Sequence, residues 1–151
     1  MKKIRIILIS LAGILIILQF IPAHVPGNSA VNNGDLILNG NASQVADLLK
    51  NTCYDCHSNQ VDFPWYAKVA PASWLLARDI KEGKEHLNFS EWEEYSKRNK
   101  IGKLESIQEE VTSGAMPLKV YTLMHKDARL STAQREAIKA WTEELTNRIM
   151  E

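Results

Sequence analysis

Apolar residues are nearly continuous near the start of the chain. They occupy residues 4–21 with few interruptions, and Lys2, Lys3 and Arg5 form a basic start. A run of this length is about what a helix needs to span a bilayer, and a basic flank keeps its own end inside. The pattern predicts a signal anchor, or transmembrane helix, over residues 1–21.

The residues after this segment bear on cleavage and on location. Residues 22–25 (Pro-Ala-His-Val) lack a small-x-small cleavage site, which favours an uncleaved anchor over a cleaved signal peptide. No Lys or Arg follows until Lys50, so the rest of the chain is expected on the periplasmic side of the cytoplasmic membrane, in a single-pass protein. Residues 22–40 are rich in Pro, Gly and Asn and predict a linker. Within it, Leu36-Ile37-Leu38 is either a strand-like clip against the domain or an exposed apolar patch.

From residue 41 onwards apolar positions recur at helical spacing, and no alternating strand pattern of useful length occurs. The pattern predicts an all-α domain over residues 41–151. Five helices are predicted. The first runs from a cap at Asn41 or Ser43 to Cys56, the second runs from Pro71 to Gly83, and the third begins at a capping box formed by Ser90 and Glu93. The fourth carries Ile101, Leu104, Gln108 and Val111 and ends at Gly114, and the last begins at a capping box formed by Ser131 and Gln134. The predicted inner faces carry Trp74, Leu75 and Ile80 on the second helix and Ala137, Ile138, Trp141 and Leu145 on the last.

Composition narrows the class of protein. A chain of 151 residues, 45% hydrophobic and 24% charged, is typical of one globular domain. Lys plus Arg and Asp plus Glu are balanced at 18 each, so no basic excess indicates a nucleic-acid partner. The two cysteines of the chain lie in one short segment, which leaves none for a separate disulfide framework.

That segment is Cys53-Tyr54-Asp55-Cys56-His57. Two cysteines separated by two residues, with a histidine directly after, form the attachment sequence for c-type haem. Each thiol adds to one vinyl group of the porphyrin, and the histidine binds the iron from the same side. Positions i, i+3 and i+4 share one face of a helical turn, so Cys53, Cys56 and His57 can reach one macrocycle. We therefore predict one covalently attached haem c, with His57 as an iron ligand.

Three other interpretations of the cysteine pair fit the sequence less well. A buried structural pair does not explain His57. A thioredoxin-like redox pair belongs near a βαβ pattern, which is absent here. A structural zinc site needs two further ligands, and His24, His86 and His125 are far apart in the sequence.

A second axial ligand is expected in the segment Gly114-Ala115-Met116-Pro117. Met116 lies in a predicted loop, away from an apolar helical stripe, and Pro117 stiffens the backbone after it. A thioether ligand raises the reduction potential of a haem relative to a second imidazole. Met124 and His125 are alternative ligands in the same part of the sequence. A Met116 side chain that only fills a gap in the core is the alternative without a ligand role.

These features resemble a class I cytochrome c and, more specifically, the small membrane-anchored haem-binding domain family. The resemblance covers residues 41–151 and the basic-start anchor, and Leu118 stands where the family carries a second proline. The matching residues are Cys53 to Asn59, Pro64-Trp65-Tyr66, Pro71, Gly114 to Pro117, Tyr121, His125, Ala128 to Ser131 and Trp141. The resemblance implies haem c with His57 proximal and Met116 distal. It implies no defined reaction.

The expected function is single-electron transfer by a membrane-anchored monohaem cytochrome, an electron carrier rather than an enzyme. His57 is expected to donate its other ring nitrogen to a backbone carbonyl, for which Pro71 is a candidate by analogy. Arg78 and Arg129 are candidate partners of the haem propionates, or simply surface arginines. Alternatives are a haem peroxidase, which needs a vacant sixth position, and a haem-based sensor. No motif indicates the redox partner proteins.

Overall fold

The computed structural model describes residues 2–29, 33–42 and 44–151. In these ranges the regular structure is helical and no strand is present, so the all-α prediction is confirmed. Short 3-10 turns cover Trp65–Lys68, Phe89–Glu94 and Lys126–Ala128. The α-helices are α1 (Lys2–Leu18), α2 (Ala46–Thr52), α3 (Tyr54–His57), α4 (Ala72–His86), α5 (Lys97–Ser113), α6 (Lys119–Met124) and α7 (Thr132–Met150).

The predicted transmembrane helix is not supported. The apolar segment forms α1, which ends at Leu18 rather than Ile21. Among the described residues, no helix combines the length and the apolar character needed to cross a membrane. Beyond α1 the chain is tied to the rest of the molecule, because the Gln19 side-chain amide bonds both the N–H and the carbonyl of Ala70, each at 3.0 Å.

The main core forms where α5 and α7 pack along each other. Both helices have the ends that the sequence predicts. Gly114 terminates α5 in the left-handed region at φ +78°, where a residue with a Cβ is strained. Ser131 and Gln134 form the predicted capping box of α7. Ile138, Trp141 and Leu145 are buried as expected, whereas Ala137 is exposed.

The helix that carries the cysteine motif is broken rather than continuous. α2 ends at Thr52, and Cys53 (φ −124°, ψ −36°) separates it from α3. Helical hydrogen bonds nevertheless continue through the break, since Cys53 donates its N–H to the Leu49 carbonyl and accepts the His57 N–H, both at 2.9 Å. Asn41 does not cap α2, because its side chain bonds Glu93, and Ser43 lies outside the described residues.

The next helix, α4, is longer than predicted. It continues past Gly83 to His86, so the glycine is an interior residue and not a terminator. A Cβ on Gly83 would lie 2.6 Å from the Cys56 carbonyl oxygen, so only glycine allows α4 to approach α3 this closely. Its buried face also differs, because Leu76 is buried and Leu75 is exposed.

The predicted capping box at Ser90 is wrong. Asn88 instead accepts the Ser90 N–H and starts a 3-10 turn. The Ser90 hydroxyl is buried and donates to Asp35. Helix α5 begins after Ser96, whose side chain accepts the Asn99 N–H. A tertiary partner for Ser90 has therefore replaced the local one.

Part of the predicted linker contributes to the core. Leu36 is fully buried, and its N–H donates to the Phe89 carbonyl at 3.0 Å. Its neighbour Asp35 is also buried and accepts bonds from the N–H of Ile37 and the hydroxyl of Tyr54. The Leu36 run is thus a clip against the domain, made of turns and not of a strand. The domain boundary at residue 40 stays a prediction.

Candidate functional site

A cavity of about 560 Å³ opens between α3, α4, α5 and the segment 114–118, which we call the Met116 loop. This volume lies within the usual range of cofactor sites, about 300–1,000 Å³. All four sequence-predicted site residues, Cys53, Cys56, His57 and Met116, line this cavity. Its other apolar lining residues include Leu87, Phe89, Ile107, Val111, Leu118 and Leu130.

The two thiols are unpaired and protonated at neutral pH. No disulfide joins Cys53 and Cys56. Burial raises the pKa of Cys53 to about 11. Burial, followed by the charges of Asp55 and Asp79, raises the pKa of Cys56 to about 12. A thioredoxin-like pair needs the opposite shift, because the thiolate is the reactive form.

His57 is oriented by the end of α4. Its Nδ1 lies 2.9 Å from the Gly83 carbonyl oxygen and 3.1 Å from that of Leu87. Because carbonyl oxygens only accept, Nδ1 carries the proton and Nε2 keeps its lone pair for a metal. Burial lowers the pKa of His57 and so favours this neutral form. The predicted acceptor, Pro71, is wrong, because Gly83 in the last turn of α4 and Leu87 directly after the helix supply the two carbonyls that face the ring.

The two residues between the cysteines, Tyr54 and Asp55, form hydrogen bonds to different parts of the molecule. The Tyr54 hydroxyl donates to buried Asp35 at 3.0 Å, and its ring stacks on Phe89 with centroids 5.2 Å apart. The Asp55 carboxylate accepts from the Tyr121 hydroxyl on α6 at 2.6 Å. Burial and this hydrogen bond raise the pKa of Tyr121, so the donor stays protonated. Sequence reasoning gave neither spacer residue a role.

The rival distal ligands lie elsewhere. Met124 is 58% exposed and, with His125, lines a separate cleft of about 790 Å³. The His125 ring stacks on Tyr121 with centroids 4.2 Å apart, and its Nε2 lies 2.7 Å from the Tyr66 hydroxyl. Met116 alone of the three lines the cavity with His57.

Charged side chains of both signs line part of the cavity. Arg78 lines it, although its guanidinium also bonds Asp79 at 3.1 Å. Arg129 does not line it and instead donates to the Thr122 carbonyl. Lys103, which sequence reasoning missed, lines the cavity and donates to the His86 carbonyl at 2.6 Å. It shares a helix face with Ile107 four residues on, which is the sequence feature that could have indicated it.

The aromatic segment that follows the motif does not enter the cavity. Trp65 is 73% exposed and packs edge-on against Tyr66. Tyr66 itself is half-buried against His125.

A metal site of protein ligands alone is not seen. In the part of the chain that the structure describes, no three His, Cys, Asp or Glu side chains are grouped to hold an ion. The donors that do meet are the two thiols, one imidazole and one thioether around an apolar cavity. This donor set fits a macrocycle that brings its own metal and needs only axial ligands.

Comparison with known families agrees with this donor set. Residues 13–144, most of the chain, match the family model described as a haem-binding domain. The match includes both cysteines, His57 and Met116. No curated protein and no solved structure matches the chain. The chain therefore belongs to the haem-binding domain family.

Proposed function

We propose that this protein is a c-type cytochrome domain that carries single electrons. One haem would be attached through Cys53 and Cys56, with His57 and Met116 as axial ligands, as in class I cytochromes c. The observation that carries the proposal is the single cavity on whose walls both thiols, the oriented imidazole and the thioether meet. When bound, the haem supplies reversible one-electron chemistry at its iron.

The protein's own residues contribute three things. The carbonyls of Gly83 and Leu87 hold the Nδ1 proton of His57 and leave Nε2 as the ligand atom. The apolar lining, which includes Phe89 and Val111, would shield the bound haem from water. Burial and a thioether ligand both favour the ferrous state, so we expect a high reduction potential for a haem of this type.

The charged residues of the cavity lining indicate where the haem propionates would lie. Carboxylates are best placed near cations and near water, and Arg78 and Lys103 are basic side chains that line the cavity. Burial lowers the pKa of Lys103, and a propionate beside it would favour its charged form. We propose these two residues as the propionate partners, with Arg129 excluded by its position.

We further propose that the domain works on the outer face of the cytoplasmic membrane. The support is the basic start at Lys2, Lys3 and Arg5 before the apolar residues 4–21. Covalent haem attachment belongs to that compartment, where free thiols would otherwise oxidise. Protease added to spheroplasts should digest the domain. Its protection in intact spheroplasts, and digestion only after lysis, would contradict export.

Covalent attachment is the sharpest test of the proposed function. The protein is expressed with a c-type maturation system, and haem staining after denaturing electrophoresis is combined with intact mass. The wild type should gain the mass of one haem, and Cys53→Ser with Cys56→Ser should abolish the stained band. Met124→Leu, outside the cavity, is the matched control and should stain fully. A wild-type mass equal to the bare chain, with haem removed by acidic acetone, would mean a non-covalent site.

A further inference from the structure

The backbone of Met116 is held at both of its polar groups. Its N–H donates to the Glu110 carbonyl at 3.0 Å. Its carbonyl accepts from Nη1 of Arg135 at 3.1 Å. With both groups bonded, the main chain at this residue has little freedom, and only the side chain remains to adjust within the cavity.

Arg135 joins the Met116 loop to the end of α5. The same Nη1 that bonds Met116 also donates to the Val111 carbonyl. The Val111 carbonyl also accepts the N–H of Gly114, and the helix dipole favours a cation at this end of α5. One guanidinium thereby connects the helix end with the loop that leaves it.

Arg135 is itself well placed on α7. Its N–H donates to the Ser131 carbonyl at 3.0 Å, in the first turn of the helix. That turn is stabilised by the Ser131 and Gln134 capping box. The packing of α7 on α5 then sets the distance from Arg135 to the loop. The sequence places these groups 19 residues apart, so no local pattern connects them.

We infer that Arg135 is a positioning residue for the distal ligand. It acts through the carbonyls of Val111 and Met116 and holds the thioether against the iron. This inference rests on the proposed function, because it presumes a haem ligated by Met116. Lysine cannot replace the arginine fully. The two N–H groups of Nη1 are fixed in the plane of the guanidinium and bond both carbonyls, whereas an ammonium on a flexible stem fixes them less well.

Competition by free imidazole measures how firmly the thioether is held. Imidazole binds ferric iron only when Met116 has left, so a looser loop raises its apparent affinity. We expect Arg135→Ala to bind imidazole about tenfold more tightly than the wild type, since two charge-assisted hydrogen bonds are lost. Arg135→Lys should fall between them. Arg148→Ala, on the same helix but bonded to Glu144 and Asn41, should leave the affinity unchanged.

A double-mutant cycle separates positioning from general stability. In a Met116→Ala background, Arg135→Ala should no longer change imidazole affinity, because no thioether remains to be released. An equal increase in both backgrounds, or wild-type affinity in both Arg135→Ala and Arg135→Lys, would overturn the inference. Covalent haem should stay complete in every Arg135 variant. Failure of the proposed function would appear in the parent protein, as a missing covalent haem, before any Arg135 substitution is made.

Discussion

The two sides of the cavity are built in different ways. On the His57 side, α3 packs against α4 so closely that Gly83 has no room for a Cβ, and the carbonyls of Gly83 and of Leu87, just after α4, orient the imidazole. On the Met116 side there is a loop of five residues, held mainly through the backbone bonds of Met116. The His57 side is therefore formed by packed helices of the core, whereas the Met116 side is formed by a loop that is hydrogen-bonded to those helices.

Because of this difference, we expect substitutions on the two sides of the cavity to have different effects. A change on the His57 side must disturb helix packing, so stability and haem attachment should fail together. A change on the Met116 side leaves the core intact, so the ligand and the potential should change while the fold survives. Such a division fits the proposed cytochrome, in which haem attachment and reduction potential would be set by different parts of the chain.

The largest expected effect is at Gly83. Gly83→Ala places a Cβ 2.6 Å from the Cys56 carbonyl oxygen, and backbone cannot move aside cheaply. We expect a loss of about 2 kcal/mol or more in the free energy of unfolding. Urea unfolding followed by circular dichroism measures it.

Gly102→Ala is the matched control for this substitution. Gly102 lies inside α5, and a Cβ there meets nothing within 4 Å. The change should stabilise the protein by about 1 kcal/mol, because alanine is the better helix former. Equal shifts in the two variants would show that α4 does not depend on close contact with Cys56.

A smaller loss of stability is expected when a hydrogen bond of either residue between the two cysteines, Tyr54 or Asp55, is removed. Tyr54→Phe removes a donor from the buried carboxylate of Asp35 and should cost about 2 kcal/mol in unfolding free energy. Tyr121→Phe removes the bond to half-buried Asp55 and should cost about 1 kcal/mol. Thermal unfolding of the two variants side by side is the measurement. A greater loss in Tyr121→Phe would contradict the division between a core side and a loop side.

The features that the sequence could predict are those determined by interactions between residues that are close in the sequence. The i, i+3, i+4 spacing of Cys53, Cys56 and His57 predicted that they face one cavity, and the structure lines one cavity with them. The end of α5 at Gly114 and the capping box at Ser131 follow from backbone conformation and side-chain bonds within four residues. These features need no knowledge of distant residues.

The missed features all depend on residues that are distant in sequence. Gly83 has the sequence appearance of a helix terminator, but its role is set by Cys56, 27 positions earlier, through a contact visible only in three dimensions. The acceptors of His57 and the partner of Ser90 were missed for the same reason. Helix α6 is six residues long, too short for a periodic apolar pattern to establish it.

The ligands of the iron are the central claim, and one spectrum tests them. The ferric protein should show the weak near-infrared sulfur-to-iron band of His/Met haem. Met116→Ala should lose that band and keep its covalent haem, whereas Met124→Ala and His125→Ala, altered outside the cavity, should retain it. A wild type without the band, or a band lost only in Met124→Ala, would contradict the assignment of Met116. A low-spin spectrum disturbed by His125→Ala alone would show a bis-histidine site.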